Sequence, residues 1–367
     1  MDEQFLAEKL QQRSIEGNLR TLSHAPHLKD FVSNDYLGLT HHPKLKEAHR
    51  RLFLDTNYHH GSTGSRLLSG NNEIVCELES DLAGLFESEA CLLFNSGYVA
   101  NLALVSAIAA KGDTILYDQL AHVCLKEGAW LSKAETYSFL HNDLEDLEAR
   151  IKRANGRVFI LTETIFSMDG DFGLIKEIIE LAERYGCYLM VDEAHSTGSY
   201  GTNGNGWLAA KNLHHRVFGR VYTFGKAIGA HGACVAGSKL LIDYLINFAR
   251  PFIYTTAPPP YAVAILKETF SFLKSEQDLQ RQLQNKIALF RKNFKDSISE
   301  TAIQPVIIGS NEKARKAALK LQNAGFDVRP ILSPTVRKGS ERLRISLHVH
   351  NSDEDIIQLC RQLDGLL

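Results

Sequence analysis

Tyr188-Leu189-Met190-Val191-Asp192-Glu193-Ala194-His195 runs from an apolar strand straight into three side chains that can exchange protons. Four apolar residues ending in a carboxylate read as a strand of a sheet covered on both faces. Working outward, runs of the same kind recur on either side: Cys91–Phe94, Thr114–Tyr117, Val158–Glu163 and Val221–Phe224. Between them lie amphipathic stretches, Val99–Ala110, Asp143–Ala154 and Ile175–Tyr185. Strands alternating with helices predict an α/β fold around a largely parallel sheet. Such sheets place their chemistry beyond the carboxyl ends of the strands. That rule singles out Asn95-Ser96-Gly97, Thr164–Asp171, Glu193–Gly198 and Gly225–Gly232.

The character of the chain changes after Ala257-Pro258-Pro259-Pro260. Helical sequence to about Ser299 is followed by a strand–helix–strand–strand–helix pattern. The expected organisation is an N-terminal helix and short strand segment (1–45), a large domain (46–260) and a smaller C-terminal α/β domain (261–367). A chain of 367 residues accommodates both domains. A net charge of -2 exerts no pull toward nucleic acid or an acidic membrane. No apolar run approaches the roughly 20 residues that span a bilayer. The acidic start Met1-Asp2-Glu3-Gln4 lacks the pattern of a signal peptide, so a cytoplasmic protein is expected. The six cysteines are scattered with no C-x-x-C pair, and most sit in apolar runs, which reads as buried free thiols. Histidine doublets diverge on any regular element, and no Cys or carboxylate pattern surrounds His348 and His350. No metal is expected.

Asp192-Glu193-Ala194-His195 also spells a helicase motif, which requires an upstream P-loop. The nearest candidate, Gly219 to Ala227, has its glycines six apart and Ala227 where Ser or Thr is needed. Gly201 to Gly206 has the wrong spacing for a dinucleotide fingerprint. A different constellation fits. Asp192 closes one strand, and some thirty residues later a second strand leads into Gly225-Lys226. In one sheet, a carboxylate and a lysine then converge at the same edge. A buried Asp can hold a pyridinium nitrogen protonated while the lysine supplies an imine, which is what pyridoxal 5'-phosphate (PLP) requires. Ser96-Gly97-Tyr98 ends one strand and opens the helix from Val99, presenting backbone N–H groups to a phosphate.

These stretches resemble the α-oxoamine synthases, PLP enzymes of fold type I. The likeness lies in Ser33-Asn34-Asp35-Tyr36-Leu37-Gly38-Leu39, Gly61-Ser62-Thr63-Gly64-Ser65-Arg66 and Asn95-Ser96-Gly97-Tyr98. It continues through Phe166-Ser167-Met168-Asp169-Gly170-Asp171, Asp192 to Gly198, Thr223-Phe224-Gly225-Lys226 and Glu341-Arg342-Leu343-Arg344. It implies a large domain with a mostly parallel seven-stranded sheet, a smaller C-terminal domain, and a homodimer with its active site at the subunit interface. Phe248–Thr256, Ala302–Pro305 and Ser333–Val336 are similar to the branch that joins L-alanine to a pimeloyl thioester of CoA or an acyl carrier protein. That reaction releases CO2 and the thiol.

The resemblance also implies roles for matching residues. Lys226 would carry the cofactor and then remove the Cα proton. Asp192 would pair with the ring nitrogen, His195 and Ser167 would reach the ring hydroxyl, and His122 would stack on the ring. Ser96, Gly97, Tyr98 and Thr223 would cradle the phosphate, with Thr255 and Thr256 reaching it from the partner subunit. Asn34 and Arg344 would hold the amino-acid carboxylate, and Arg20 the acyl substrate. Val75 stands where relatives often have a histidine, and Leu332 near where the pimeloyl branch has an arginine. Rival readings are a glycine- or serine-using synthase, an aminotransferase, or a non-catalytic partner. Thr255-Thr256 and the Arg344 segment weigh against the second, and joint retention of Lys226 and Asp192 against the third.

Overall fold

The computed structural model describes residues 3–22, 25–54, 58–276 and 278–366. Met1 and Asp2, where the signal-peptide reading begins, lie outside them. The chain divides into two compact units. The larger comprises Leu37–Ser167 and Asp171–Arg281, and the smaller Met1–Tyr36, Met168–Gly170 and Gln282–Leu367. The Pro258–Pro260 breaker falls inside the larger unit, because the helix it starts, Pro260–Ser275, packs on the helices Pro43–Leu54 and Glu73–Leu85.

The larger unit is built on seven strands: β1 (Ala90–Phe94), β2 (Thr114–Asp118), β3 (Glu135–Phe139), β4 (Val158–Glu163), β5 (Tyr188–Asp192), β6 (Gly219–Thr223) and β7 (Ala233–Gly237). Their order across the sheet is β1-β7-β6-β5-β4-β2-β3. Only β7 runs against the rest, antiparallel to both β1 and β6. The two reversals cancel, so β1 points the same way as β6 and its carboxyl end joins theirs.

Helices cover both faces, which is why Val158–Glu163 and Tyr188–Asp192 are apolar runs rather than alternating ones. On one face Phe159, Leu161 and Met190 pack with Ala100, Leu104 and Leu125. On the other, Ile160, Leu189 and Val191 pack with Leu147, Ile178 and Ile179. The Ile175–Tyr185 helix ends on Gly186, whose φ of +66° suits a left-handed cap. Two strands absent from the periodicity reading, β3 and β7, belong to this sheet. β3 is an edge strand with a half-exposed pattern, and β7 is made of small residues (Ala-Cys-Val-Ala-Gly) without strong β preference.

In the smaller unit Ile303–Ile307, Arg329–Ile331 and Arg342–Ser346 form an antiparallel sheet with the last strand central. Lys29–Asp30 pairs in parallel with Phe326–Asp327. The helix Gln4–Ile15 buries no side chain within the chain. Asp30, a carboxylate the sequence did not place there, brings its ligand atoms within 4.8 Å of those of His348 and His350. The two rings are stacked 4.6 Å apart and 8° from parallel. Their in-plane lone pairs therefore run side by side and do not converge on one ion.

Candidate active site

The carboxyl edge of the large sheet collects the sequence-predicted residues in strand order. Ser96, following β1, caps the helix Gly97–Ile108 by accepting the Val99 N–H at 3.3 Å. The helix start thus offers N–H groups and a positive dipole end. Gly97 lies against Thr223 at the end of β6, where a Cβ would come within 2.9 Å of the threonine Oγ1. Tyr98 is exposed, and its hydroxyl donates to Glu127. Asn95 Nδ2 donates to the Thr256 carbonyl at 3.0 Å and to Thr255 Oγ1 at 3.4 Å, so these threonines sit beside the Ser96 turn of their own chain.

Three residues past β6, the half-buried Lys226 has its Nζ 2.8 Å from His195 Nε2, three residues past β5. Asp192 ends β5 and is 4% exposed. The Asn101 amide donates to its Oδ2 at 2.7 Å and the Ala194 N–H to its Oδ1 at 2.7 Å. Asn101 is one turn beyond Gly97 on the same helix face, 2% exposed, its own Oδ1 without a partner among the described residues. The sequence reading missed it, although its spacing from Gly97 is a usable signal.

His122 follows β2 as the cap of the helix Val123–Leu131, its ring edge-on to Tyr98. Its Nδ1 lies 3.3 Å from the Cys124 N–H and 2.9 Å from Cys124 Sγ. Desolvation, opposed by Asp192 and aided by Lys226 and Lys126, holds this imidazole below its usual value. Burial raises the Cys124 thiol, helped by Asp192 and Glu163, so it stays protonated. Glu163, the last residue of β4, accepts the His122 backbone N–H at 2.5 Å. Burial, with Asp192 adding to it, pushes its carboxyl up to about 8.

Ser167 belongs to a loop after β4 that is tied down at both ends. The Thr164 N–H donates to the Asp192 carbonyl at 3.0 Å, and the Phe166 N–H to the Asp171 carbonyl at 3.0 Å. His141 spans Asp118 at 3.0 Å and Asp171 at 2.7 Å. Partial burial works against its charge, but the two carboxylates prevail and raise it to about 10.

Glu193 of the helicase-like tetrapeptide is fully buried and accepts the Trp207 and Leu208 N–H groups at 2.9 and 2.8 Å. Its work is to pin the chain after β5. In the smaller unit, Arg344 Nη2 donates to Asn34 Oδ1 at 3.0 Å, and the Tyr36 hydroxyl donates to the same oxygen. Arg342, two residues earlier, is buried and pairs with Asp169 while donating to the Ser340 carbonyl at 2.9 Å. Arg20 is exposed and donates to Thr335 Oγ1 at 3.2 Å.

The donor set of the larger unit fits PLP. A helix start and Thr223 meet at one end, a buried Asp with two donors sits at the other, and a lysine beside a histidine accompanies them.

The profile of the aminotransferase class I and II family matches residues 26–363. An 8-amino-7-oxononanoate synthase of Chromohalobacter salexigens is 38% identical over 375 residues, covering 98% of this chain and 95% of the relative. That of Geotalea daltonii is 40% identical over 338 residues, covering 89% and 85%. Among solved structures, an 8-amino-7-oxononanoate synthase from Francisella tularensis superposes with a TM-score of 0.80 at 28% identity, covering 93% of this chain and 98% of that one. A serine palmitoyltransferase with a PLP internal aldimine gives 0.88 at 25%, covering 99% and 96%. The chain belongs to the aminotransferase class I and II family and, within it, to the α-oxoamine synthases.

Proposed function

We propose that this chain is a PLP-dependent acyltransferase that condenses L-alanine with a pimeloyl thioester, giving 8-amino-7-oxononanoate, CO2 and free thiol in biotin biosynthesis. The observation that carries the reading is Lys226 Nζ 2.8 Å from His195 Nε2, at the edge where Asp192 is held by two donors. The full-length relatives of that name support the choice of reaction.

Bound PLP supplies the electron sink that makes an amino-acid Cα proton removable. Lys226 holds the cofactor and then takes that proton. Asp192 holds the ring nitrogen's proton, its orientation set by Asn101 and the Ala194 N–H. His195 and Ser167 bond the ring hydroxyl, and His122 covers the ring face. Ser96, Gly97, Tyr98 and Thr223 bind the phosphate, and Thr255 and Thr256, beside the Ser96 turn of their own chain, reach the phosphate of a second copy in a cytoplasmic homodimer. Asn34 and Arg344 grip the amino-acid carboxylate. Arg20 contacts the acyl substrate. The chemistry uses no metal.

The test is turnover of purified protein with alanine, glycine or serine, each with pimeloyl-CoA or pimeloyl acyl carrier protein, following CO2 and free thiol. Alanine with one pimeloyl donor is expected to release both. Release only with glycine or serine would move the assignment to another synthase, and a protein that takes up no PLP would remove the class.

A further inference from the structure

Asp118, Glu163 and Asp192 are the last residues of three adjacent parallel strands, β2, β4 and β5, and all three are at most 4% exposed. Glu163 and Asp192 stand directly opposite in register. Asp118 lines up with Thr162, so its side chain leaves the opposite face of the sheet, whereas Glu163 and Asp192 share one face, where two anions side by side and buried repel strongly. Asp118 has the His141 imidazole at 3.0 Å and the N–H groups of Leu120 and Asn142. Asp192 has Asn101 and Ala194. Glu163 has the His122 backbone N–H at 2.5 Å, at the cap of the Val123–Leu131 helix.

We propose that Glu163 is a positioning residue that keeps a proton beside the Asp192 carboxylate and anchors, through its hydrogen bond to the His122 N–H, the turn from which His122 covers the cofactor ring. This rests on the PLP reading given above. The charged and titratable groups around it are Asp192 on the same face, Asp118 on the other face of the neighbouring strand, His122, Cys124 and Lys126 at the helix start, and Lys226. Burial and Asp192 set its carboxyl at about 8. A group raised from 4.5 to about 8 on folding stabilises the fold below pH 4.5, and that contribution drains away as pH rises through 8.

Full-length wild type, Glu163→Gln and Glu163→Ala are compared with and without added PLP. Gln presents the same acceptor to the His122 N–H and carries no charge at any pH. The melting temperature of Glu163→Gln relative to wild type is expected to climb between pH 5 and 8 and level off above. PLP affinity at pH 7 is expected to fall about tenfold in Glu163→Ala, the loss of one buried hydrogen bond, and to be rescued to within about threefold by Gln. A pH-independent difference between Gln and wild type would overturn the proton, and equal damage by Gln and Ala would do the same. PLP affinity unchanged in Ala would overturn the anchoring role. A wild type that takes up no PLP would instead sink the cofactor reading, whereas the melting comparison without PLP judges the proton independently. If Glu163→Ala does not fold, the Gln comparison alone decides.

Discussion

Replacing His141 by alanine should reveal a clamp that depends on the ring's charge. The imidazole bridges Asp118, which is fully buried, and Asp171, and it meets Phe166 edge-on with centroids 4.4 Å apart. Moving its protonation from the ordinary 6.5 to about 10 corresponds, at ~1.4 kcal/mol per pH unit, to about 5 kcal/mol. Asp171 is 36% exposed, and solvent screening on that side trims the figure to about 3–4 kcal/mol. The sign follows from the raised folded value: the contribution is complete below pH 6.5 and is lost as pH climbs through 10. Urea denaturation of wild type and His141→Ala at pH 6, 8 and 10 measures it. The stability gap should be largest at pH 6, roughly halved at pH 8 and nearly closed at pH 10. A direct NMR titration of the ring should give a midpoint near 10. A gap that stays constant with pH would mean that His141 acts by packing on Phe166, and the charge argument would be refuted.

Asn101→Ala removes a donor from a buried carboxylate, worth ~1.5–3 kcal/mol, so PLP affinity should fall about ten- to a hundredfold; titration with PLP checks it, and a loss under twofold contradicts the role. Glu193→Ala strands two backbone N–H groups at the Trp207 turn. It should cost about 3–5 kcal/mol, read as a melting temperature lowered by on the order of 10 °C. An unchanged melting curve would show that the carboxylate pins nothing. Lys226→Ala should lose the visible absorption of lysine-bound PLP and all turnover while keeping the wild-type circular dichroism; normal turnover would overturn the assignment.

What could be read from the chain follows from what is local. Val158–Glu163 and Tyr188–Asp192 announce themselves because a strand buried on both faces must be apolar along its length. Ser96 is visible because a helix start needs a capping oxygen. β3 and β7 escape because an edge strand may stay polar and small residues have no strand signature. Asn101, Glu163 and His141 escape for a different reason. Their meaning comes from partners 91, 41 and 23 residues away, brought abreast by a strand order no local pattern encodes. Arg342 and Arg344 show the limit sharply. Both have the parity of one strand face, and only the family resemblance favoured Arg344. Asp169 takes up Arg342, and Arg344 turns to Asn34.

The carboxylates that end these strands suggest why the edge of this sheet can hold one useful anion. Strands that run parallel end together, and three of the last residues here are acids, Glu163 and Asp192 on one face of the sheet and Asp118 on the other. Left ionised side by side, Glu163 and Asp192 would destabilise the fold and blur which of them answers a cationic ring. One is matched by an imidazolium, since His141 sits at about 10. One, on the proposal above, keeps a proton and spends its oxygen on a backbone N–H. The third is held by two donors that orient it without cancelling its charge. Only Asp192 is then left to face a pyridinium. Exchanging Glu163 for a group that is always neutral should leave that division intact, whereas ionising it should not. The pH dependence of Glu163→Gln against wild type is therefore a measurement of the Glu163–Asp192 pair and not of one side chain.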